Sequence, residues 1–257
     1  MTGATGGLGG RLAETLTAEG MSVIVTGRQA DELEALAART GAQPVVADLS
    51  GPDGVAGLVR AAEAIGPVDL LVSNAALPGS GQLVEYDSAG IERTVHVNLL
   101  APVLLARAFL PGMLERGRGH IVIMSSLAGL AAAPASSLYA ATKFGLRGFG
   151  LSLRQDLHGT GVGVSMVLPG FVREAGMFVK SGARLPPGVG TTTPGRVAAA
   201  VVDAVRADKA EVLVAPLPMR VGAHLGGLLP GIAGRVTRLA GQGTAEGIAD
   251  GQRGRRA

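Results

Sequence analysis

Short apolar runs alternate with longer amphipathic segments along most of this chain. The short runs are rich in Val, Ile and Leu and predict buried strands, at residues 21–26, 43–47, 68–73, 119–125, 162–168 and 211–215. The longer segments carry apolar residues at helical spacing and predict helices, at residues 7–19, 30–39, 52–65, 88–114, 136–158 and 194–208. Pro102 is expected to bend the longest helix, and Thr193 is expected to cap the helix that Pro194 begins.

Strands that alternate with helices at this spacing predict an α/β fold with a parallel sheet covered on both faces. Ligands of such folds bind beyond the carboxyl ends of the strands. Several polar or conformationally special residues end or follow predicted strands, namely Asp48, Asn74, Ser126 and the pair Pro169-Gly170. The pattern therefore predicts a binding site at that edge of the sheet.

Composition narrows the class of protein. With 257 residues, 47% hydrophobic and 17% charged, the chain suits one large domain, which we place at residues 1–215. It has no cysteine and four scattered histidines, so we expect neither disulfides nor a metal site. No signal peptide is visible at the start, and no uninterrupted apolar run suggests a membrane span, so the cytoplasm is the expected compartment.

Charge is uneven along the chain. Residues 216–257 carry six arginines against two acidic residues, a balance of +4, whereas the rest of the chain has a balance of −1. The main domain is thus near neutral, without the basic surface of a nucleic-acid-binding protein, and with 3% aromatic residues the chain is not expected to offer a platform on which bases stack. We therefore expect no nucleic-acid partner.

Three segments have less regular patterns. Residues 173–190, rich in glycine and proline, follow a strand end and predict a mobile lid over a substrate, or else a surface loop. Residues 216–240 predict a helical segment that packs on the subunit or across an oligomer interface. The less favoured alternative is a basic amphipathic segment that rests on an anionic membrane. Residues 241–257, glycine-rich and polar, predict a disordered tail.

Tyr139 and Lys143 stand four residues apart, on one face of a predicted helix. A phenol has an ordinary pKa near 10, and a neighbouring ammonium favours its ionised form, so we expect Lys143 to lower the pKa of Tyr139. Ser126 lies thirteen residues upstream, where its hydroxyl could hold a substrate oxygen beside the phenol. Together the three residues have the composition of a proton-transfer site.

Residues 2–9, Thr-Gly-Ala-Thr-Gly-Gly-Leu-Gly, form the second motif. Glycines permit tight turns and let backbone N–H groups approach a pyrophosphate at a helix N-terminus. The helix predicted from Gly7 supplies that terminus. The motif therefore indicates a nucleotide-binding loop.

These motifs, in this order and spacing, resemble the short-chain dehydrogenase/reductase family. The resemblance is carried by Thr2–Gly9, Asn74-Ala75-Ala76, Asn98, Ser126, Tyr139 to Lys143 and Pro169-Gly170, and it covers about residues 1–215. It implies a Rossmann-like, doubly wound parallel sheet in three α/β/α layers. It also implies a nicotinamide cofactor and interconversion of a carbonyl and a secondary alcohol.

The resemblance also implies roles for individual residues. Tyr139 would be the general acid/base, Lys143 would lower its pKa and hold the nicotinamide ribose, Ser126 would orient the substrate oxygen, and Asn98 would support a proton relay. The residues expected to bind the cofactor are Thr2, Gly3, Thr5, Gly7, Leu8, Gly9, Arg28, Asp48, Leu49, Asn74, Ala75, Tyr139, Lys143, Pro169, Gly170 and Val172. Glu174 departs from the family pattern, which often has a threonine there that holds the nicotinamide carboxamide.

Arg28 bears on the choice of cofactor. After the second strand of such folds an acidic residue binds the ribose 2′-hydroxyl of NAD. This chain has Thr26-Gly27-Arg28 there, with a guanidinium that suits a 2′-phosphate. We therefore expect NADP(H) to be favoured over NAD(H), the alternative being a solvated surface arginine.

The glycine loop of this fold is ordinarily preceded by a central strand, and the sequence begins at the loop. From this we expect the first strand to be missing and hypothesise that the natural chain starts several residues earlier.

The sequence thus predicts an NADP(H)-preferring oxidoreductase that acts on an apolar carbonyl or alcohol as a homodimer or homotetramer. The alternatives are a nucleotide-binding regulatory or scaffold protein without turnover, and an unstable truncated product.

Overall fold

The computed structural model describes residues 1–182, 185, 189–240 and 247. Within them the strands are β1 Ile24–Gly27, β2 Gln43–Val46, β3 Leu70–Ser73, β4 Gly119–Met124, β5 Val162–Pro169 and β6 Glu211–Val214. The helices are α1 Gly7–Ala18, α2 Ala30–Thr40, α3 Pro52–Ile65, α4 Ser88–Val95, α5 Ala101–Glu115, α6 Ser137–Asp156, α7 Met177–Ser181, α8 Pro194–Arg206, α9 Leu217–Leu228 and α10 Pro230–Ala240. The predicted tail lies outside the described residues, apart from Gly247, as do residues 183–184 and 186–188 of the predicted lid.

All the strand pairings are parallel, as the alternating pattern predicted. β1 pairs with β2, and β3, β4, β5 and β6 pair in that order. Thr2 connects these two groups of strands. Its N–H donates to the Val72 carbonyl of β3 at 3.0 Å, and it forms an isolated parallel β-bridge with Thr26 of β1. The central position between β1 and β3, where the sequence led us to expect no strand, is thus held by the residues that lead into the glycine loop.

Side chains alternate across the sheet and so build two cores. Ile121 and Ile123 of β4 face a core shared with α3, α5 and α6, whereas Val122 faces a core shared with α1, α2 and α8. Strands β3, β4 and β5 are buried on both faces, which is why they read as continuous apolar runs. The three-layer α/β/α architecture predicted from the sequence is confirmed.

The long helix predicted at residues 88–114 is interrupted between α4 and α5. Residues His96–Leu100 form a π-helical turn directly before Pro102. Proline has no N–H to donate to the carbonyl four residues earlier, which is that of Asn98. The turn before Pro102 is thus a π-helical segment, and it contains a candidate site residue, Asn98. The bend expected at Pro102 stays a prediction.

Among the described residues one helical stretch, Ser88–Glu115, is long and apolar enough to cross a membrane by length and composition. Its residues Ala101, Leu105 and Phe109 are buried in the core that faces α3 and α6. We therefore assign it as a core helix of the domain.

The predicted N-cap of α8 is confirmed, since the Thr193 hydroxyl accepts a hydrogen bond from the Arg196 N–H at 3.2 Å. The C-terminal segment forms two helices, α9 and α10, and the second begins at Pro230. Proline is favoured at the first position of a helix, so the residue that breaks α9 also begins α10.

Candidate functional site

A cavity of about 950 Å³ opens at the carboxyl edge of the sheet. Sixteen of the residues predicted from the sequence line it, namely Gly3, Thr5, Gly7, Leu8, Gly9, Arg28, Asp48, Leu49, Asn74, Ala75, Ser126, Tyr139, Lys143, Pro169, Gly170 and Val172. Thr2 and Asn98 are not among its lining residues and lie behind it. The site is therefore where the topology of a parallel sheet puts it.

Asn74 fixes the start of the glycine loop. Its side-chain amide donates to the carbonyls of Thr2 and Gly3, each at 3.1 Å, while its own N–H donates to the Thr2 hydroxyl at 3.0 Å. Thr2 is almost fully buried by these contacts. Both residues therefore act on the loop that leads into the N-terminus of α1.

The glycine loop has no room for side chains at Gly3 and Gly9, where its backbone lies closest to other backbone atoms. Gly3 has a φ of +68°, and a Cβ there would lie 2.7 Å from the Ala75 Cα. A Cβ on Gly9 would lie 2.0 Å from the Gly3 carbonyl oxygen. The turn thus carries the chain into the first turn of α1, whose free N–H groups suit a pyrophosphate. These residues fit a dinucleotide cofactor.

We expect Gly9→Ala to displace this turn and weaken the binding of a nicotinamide dinucleotide. Overpacking costs about 1–3 kcal/mol, which corresponds to roughly tenfold to a hundredfold in the dissociation constant. Calorimetric titration measures the affinity directly, and urea unfolding shows whether the domain stays folded.

Gly10→Ala is the matched control. It makes the same substitution one residue later in α1, where the nearest heavy atom to a new Cβ lies 3.8 Å away. Alanine favours a helix over glycine, so this variant should bind normally and be slightly more stable. Equal affinity of the Gly9 and Gly10 variants would contradict the role assigned to the tight approach.

Arg28 and Asp48 lie at the exposed end of the cavity. Asp48 accepts a hydrogen bond from the Ser50 N–H at 3.0 Å, a local turn contact. Glu32, which the sequence reasoning did not single out, lines the same cavity, and its carboxylate accepts from the Gln29 amide at 3.0 Å. The end of the cavity therefore holds both a guanidinium and carboxylates.

The proton-transfer residues come together from two segments. Ser126 follows β4, and the first turns of α6 bring Tyr139 and Lys143 to the same wall. Ser126 stands beside the Tyr139 phenol, where it acts to lower the pKa of Tyr139, and its hydroxyl donates to the Pro169 carbonyl at 3.5 Å. The Lys143 Nζ lies 5.6 Å from the centre of the Tyr139 ring and donates to the Met124 carbonyl at 2.9 Å.

Burial governs the protonation of both groups. Burial raises the pKa of Tyr139 to about 12 and outweighs the opposing effect of Ser126. Burial also lowers the pKa of Lys143 to about 8. The lowering of the Tyr139 pKa that the sequence led us to expect is therefore not found, because desolvation of the phenolate outweighs the effect of its neighbours.

Asn98 is fully buried, and both ends of its side chain are engaged. Its Oδ1 accepts from the Leu77 N–H at 2.6 Å, and its Nδ2 donates to the Leu77 carbonyl at 2.9 Å. The same loop continues to Gly79, whose carbonyl accepts from the Tyr139 N–H at 3.3 Å. The amide of Asn98 thus positions the loop beside Tyr139, and the relay expected of Asn98 stays a prediction.

Glu174 does not line the main cavity. It has a φ of +74°, unusual for a residue other than glycine, and its exposed carboxylate accepts from Arg173 at 3.1 Å. It borders a separate groove on the other side of the glycine loop. Its neighbour Ala175 approaches that loop, since a Cβ on Gly7 would lie 2.5 Å from the Ala175 Cβ.

An apolar part of the cavity wall was partly missed by sequence reasoning. It includes Leu77, Leu127, Phe171, Phe178, Met219 and Ala223. Phe171 and Phe178 pack against each other with tilted rings, whose centres are 5.1 Å apart. Met219 and Ala223 belong to α9, in the segment that the sequence predicted to pack on the subunit or across an oligomer interface. The amphipathic spacing of α9 is the signal that could have assigned them to the wall.

Comparison with known proteins gives one consistent result. The family model described as short chain dehydrogenase matches residues 1–185. A ketoacyl reductase from Nostoc sp., HetN, is 38% identical over 225 residues, which cover 85% of this chain and 78% of that protein.

Solved structures share this fold over most of the chain. A short-chain dehydrogenase from Sphingobium yanoikuyae in complex with NADPH superposes with a TM-score of 0.78 at 28% identity, over 90% of this chain and 93% of that one. A metagenomic short-chain oxidoreductase in complex with NADP superposes with a TM-score of 0.71 at 32% identity, over 84% of this chain and 94% of that one.

Proposed function

Since this chain belongs to the short-chain dehydrogenase family and is an oxidoreductase, we propose that it interconverts a carbonyl and a secondary alcohol, with NADP(H) preferred over NAD(H). The observation that carries the proposal is that Ser126, Tyr139 and Lys143 meet at one wall of the cavity that the glycine loop borders, with the Lys143 Nζ 5.6 Å from the centre of the Tyr139 ring. A nicotinamide bound there supplies or accepts the hydride.

The side chains of the protein do the proton chemistry. In reduction, the Tyr139 phenol donates its proton to the carbonyl oxygen as negative charge develops there, and Ser126 holds that oxygen by a second hydrogen bond. The Lys143 ammonium stabilises the phenolate left behind. Asn98 acts through Leu77 to keep the loop next to Tyr139 in place.

The protonation state favours one direction at neutral pH. With a pKa of about 12 the Tyr139 phenol holds its proton, as a general acid for reduction must. In the oxidation direction the phenol must first lose that proton, so the rate should rise with pH. Such a difference in pH dependence, measured for the two directions, would identify Tyr139 as the proton-exchanging group.

The residues proposed to hold the cofactor follow the cavity wall. The glycine loop and α1 would hold the pyrophosphate, Asp48 and Leu49 would border the adenine, and Arg28 would meet the 2′-phosphate. Asn74, Ala75, Pro169, Gly170 and Val172 line the wall toward the nicotinamide end. Two structural relatives are complexes with NADP or NADPH, which supports the choice of cofactor.

Arg28→Ala tests the preference for NADP(H). A hydrogen bond to a charged group contributes about 1.5–3 kcal/mol, so the affinity for NADPH should fall roughly tenfold to a hundredfold. The affinity for NADH should change little, because NADH has no 2′-phosphate. Dissociation constants for both nucleotides, measured by nicotinamide fluorescence, separate the two outcomes.

Arg60→Ala is the control for net charge, since it removes an exposed arginine from α3, on an element that does not line the cavity. If Arg28→Ala and Arg60→Ala weaken NADPH equally, Arg28 does not contact the 2′-phosphate.

A screen of ketones, aldehydes and secondary alcohols with both cofactors tests the activity itself. The apolar wall favours uncharged, lipophilic compounds, so turnover should rise with the apolar surface of the substrate. Tight binding of NADPH without turnover of any compound would instead favour a nucleotide-binding regulatory or scaffold protein. Equilibrium sedimentation tests the homodimer or homotetramer that we propose.

A further inference from the structure

Helix α9 has two faces with different surroundings. Its inner face closes the cavity with Met219 and Ala223 and packs on the segment after Ser126. The approach is close, since a Cβ on Gly226 would lie 3.0 Å from the Ala131 Cβ. One side of this helix is therefore part of the cavity wall.

The outer face of α9 is an apolar stripe exposed to solvent. Leu217, Val221, Leu225 and Leu228 recur at spacings of four, four and three residues, so they share one face of the helix. Their exposed fractions lie between 48% and 75%. Leu229 and the α10 residue Ile232 continue the exposed apolar surface. A contiguous apolar patch of this kind marks an interaction surface.

The charges around this stripe have one sign. Arg220, His224 and Arg235 are exposed, and residues 217–240 contain no aspartate or glutamate. On the helical wheel Arg220 and His224 border one side of the stripe. Exposed aliphatic side chains next to basic ones are the arrangement of helices that lie in an anionic lipid interface.

Two other occupants fit less well. Residues 241–257 contain one large aliphatic side chain, Ile248, too few to cover six exposed apolar residues. A second copy packed symmetrically on the same face would bring the basic residues of one copy toward those of the other. Like charges brought together across an interface oppose association.

We propose that the outer face of α9 and the start of α10 dock on an anionic membrane surface, which sets the cavity directly behind the lipid-facing helix. Leu217, Val221, Leu225, Leu228 and Ile232 enter the acyl boundary, and Arg220 and Arg235 meet the headgroups. Docking is independent of turnover. Its consequence for substrate supply, delivery of a lipophilic carbonyl compound from the membrane, rests on the proposed function.

Vesicle flotation tests the docking with the full chain. The wild type should float with phosphatidylcholine vesicles that contain about one third phosphatidylserine, and much less with phosphatidylcholine alone. Binding should fall at high salt, because the screening length shortens from about 10 Å at 0.1 M to about 3 Å at 1 M. A wild type that does not float with anionic vesicles at low salt overturns the proposal.

Paired variants separate the apolar and the charge contributions. Leu225→Glu with Leu228→Glu should lower the partition coefficient about tenfold or more, whereas Ile65→Glu, at a 41% exposed residue of α3, should leave it unchanged. Arg220→Gln with Arg235→Gln should remove the preference for phosphatidylserine, and Arg60→Gln should not. Binding that survives both paired variants overturns the proposal.

Two further readouts make each outcome decisive. Turnover of a water-soluble ketone shows that a variant is folded. If neither the wild type nor any variant turns the ketone over, the proposed function is wrong, but the vesicle-binding result still stands. The two failures are therefore distinguished. Sedimentation velocity identifies the rival occupant. If Leu225→Glu with Leu228→Glu dissociates an oligomer, and the wild type does not bind vesicles, the stripe is a contact between copies and the proposal is wrong.

Discussion

Tyr139→Phe should lower kcat for carbonyl reduction by about 10²- to 10⁴-fold, the range for loss of a general acid. The substitution removes the phenolic oxygen and leaves the ring, so the packing against Lys143 and the loop at Gly79 is kept. The affinity for NADPH should stay near that of the wild type. Steady-state kinetics with NADPH absorbance, together with a binding titration, measure the two quantities.

Tyr86→Phe is the matched control, because Tyr86 is the other tyrosine of the chain. Its hydroxyl donates to the Ser80 carbonyl at 3.1 Å, at the edge of the same loop. This variant should keep most of its activity. If Tyr139→Phe also keeps full activity, Tyr139 is not the proton donor and the proposed mechanism fails.

Lys143 should make the stability of the domain rise with pH between about 8 and 10.5. In the folded state burial lowers the pKa of Lys143 from 10.5 to about 8, whereas the unfolded chain keeps the ordinary value. Between these values the unfolded state binds the additional proton, so raising the pH favours the folded state. At about 1.36 kcal/mol for each pH unit, the full window corresponds to about 3 kcal/mol.

Lys143→Met isolates this contribution. Urea unfolding of both proteins at pH 7 and pH 10 should show the wild type gaining most of that free energy relative to the variant. Tyr139 has the opposite effect above pH 10, because its folded pKa of about 12 is raised above the ordinary value, but it is present in both proteins. Parallel stability profiles would show that Lys143 does not titrate in this window. We also expect the variant to lose activity.

Most of the architecture could be predicted because local patterns determine it. Strands buried on both faces read as continuous apolar runs, and the helix that Pro194 begins has a threonine cap that the structure confirms. The residues of the cavity follow the ends of these strands, so topology alone brings Ser126 and Gly170 to one edge. Such inferences depend on short stretches of sequence and a general rule about parallel sheets.

What could not be predicted depends on contacts between distant segments. The partner of the Asn98 amide is the backbone of Leu77, and no side-chain pattern identifies a backbone partner. The pKa of Tyr139 follows from burial that the whole cavity produces. The place of α9 in the cavity wall depends on how closely Gly226 and Gly227 let it approach residues after Ser126.

The two hydrogen bonds between the Asn98 side chain and the Leu77 backbone affect the free energy of ligand binding. Because one side chain holds both the N–H and the carbonyl of Leu77, the loop beside Tyr139 is held at its start by the core helix. Its conformational entropy is therefore lost when the domain folds rather than when a ligand arrives. A ligand that meets a loop already ordered keeps more of its interaction free energy as affinity. In this way a buried amide in the core, without touching the ligand, contributes to binding.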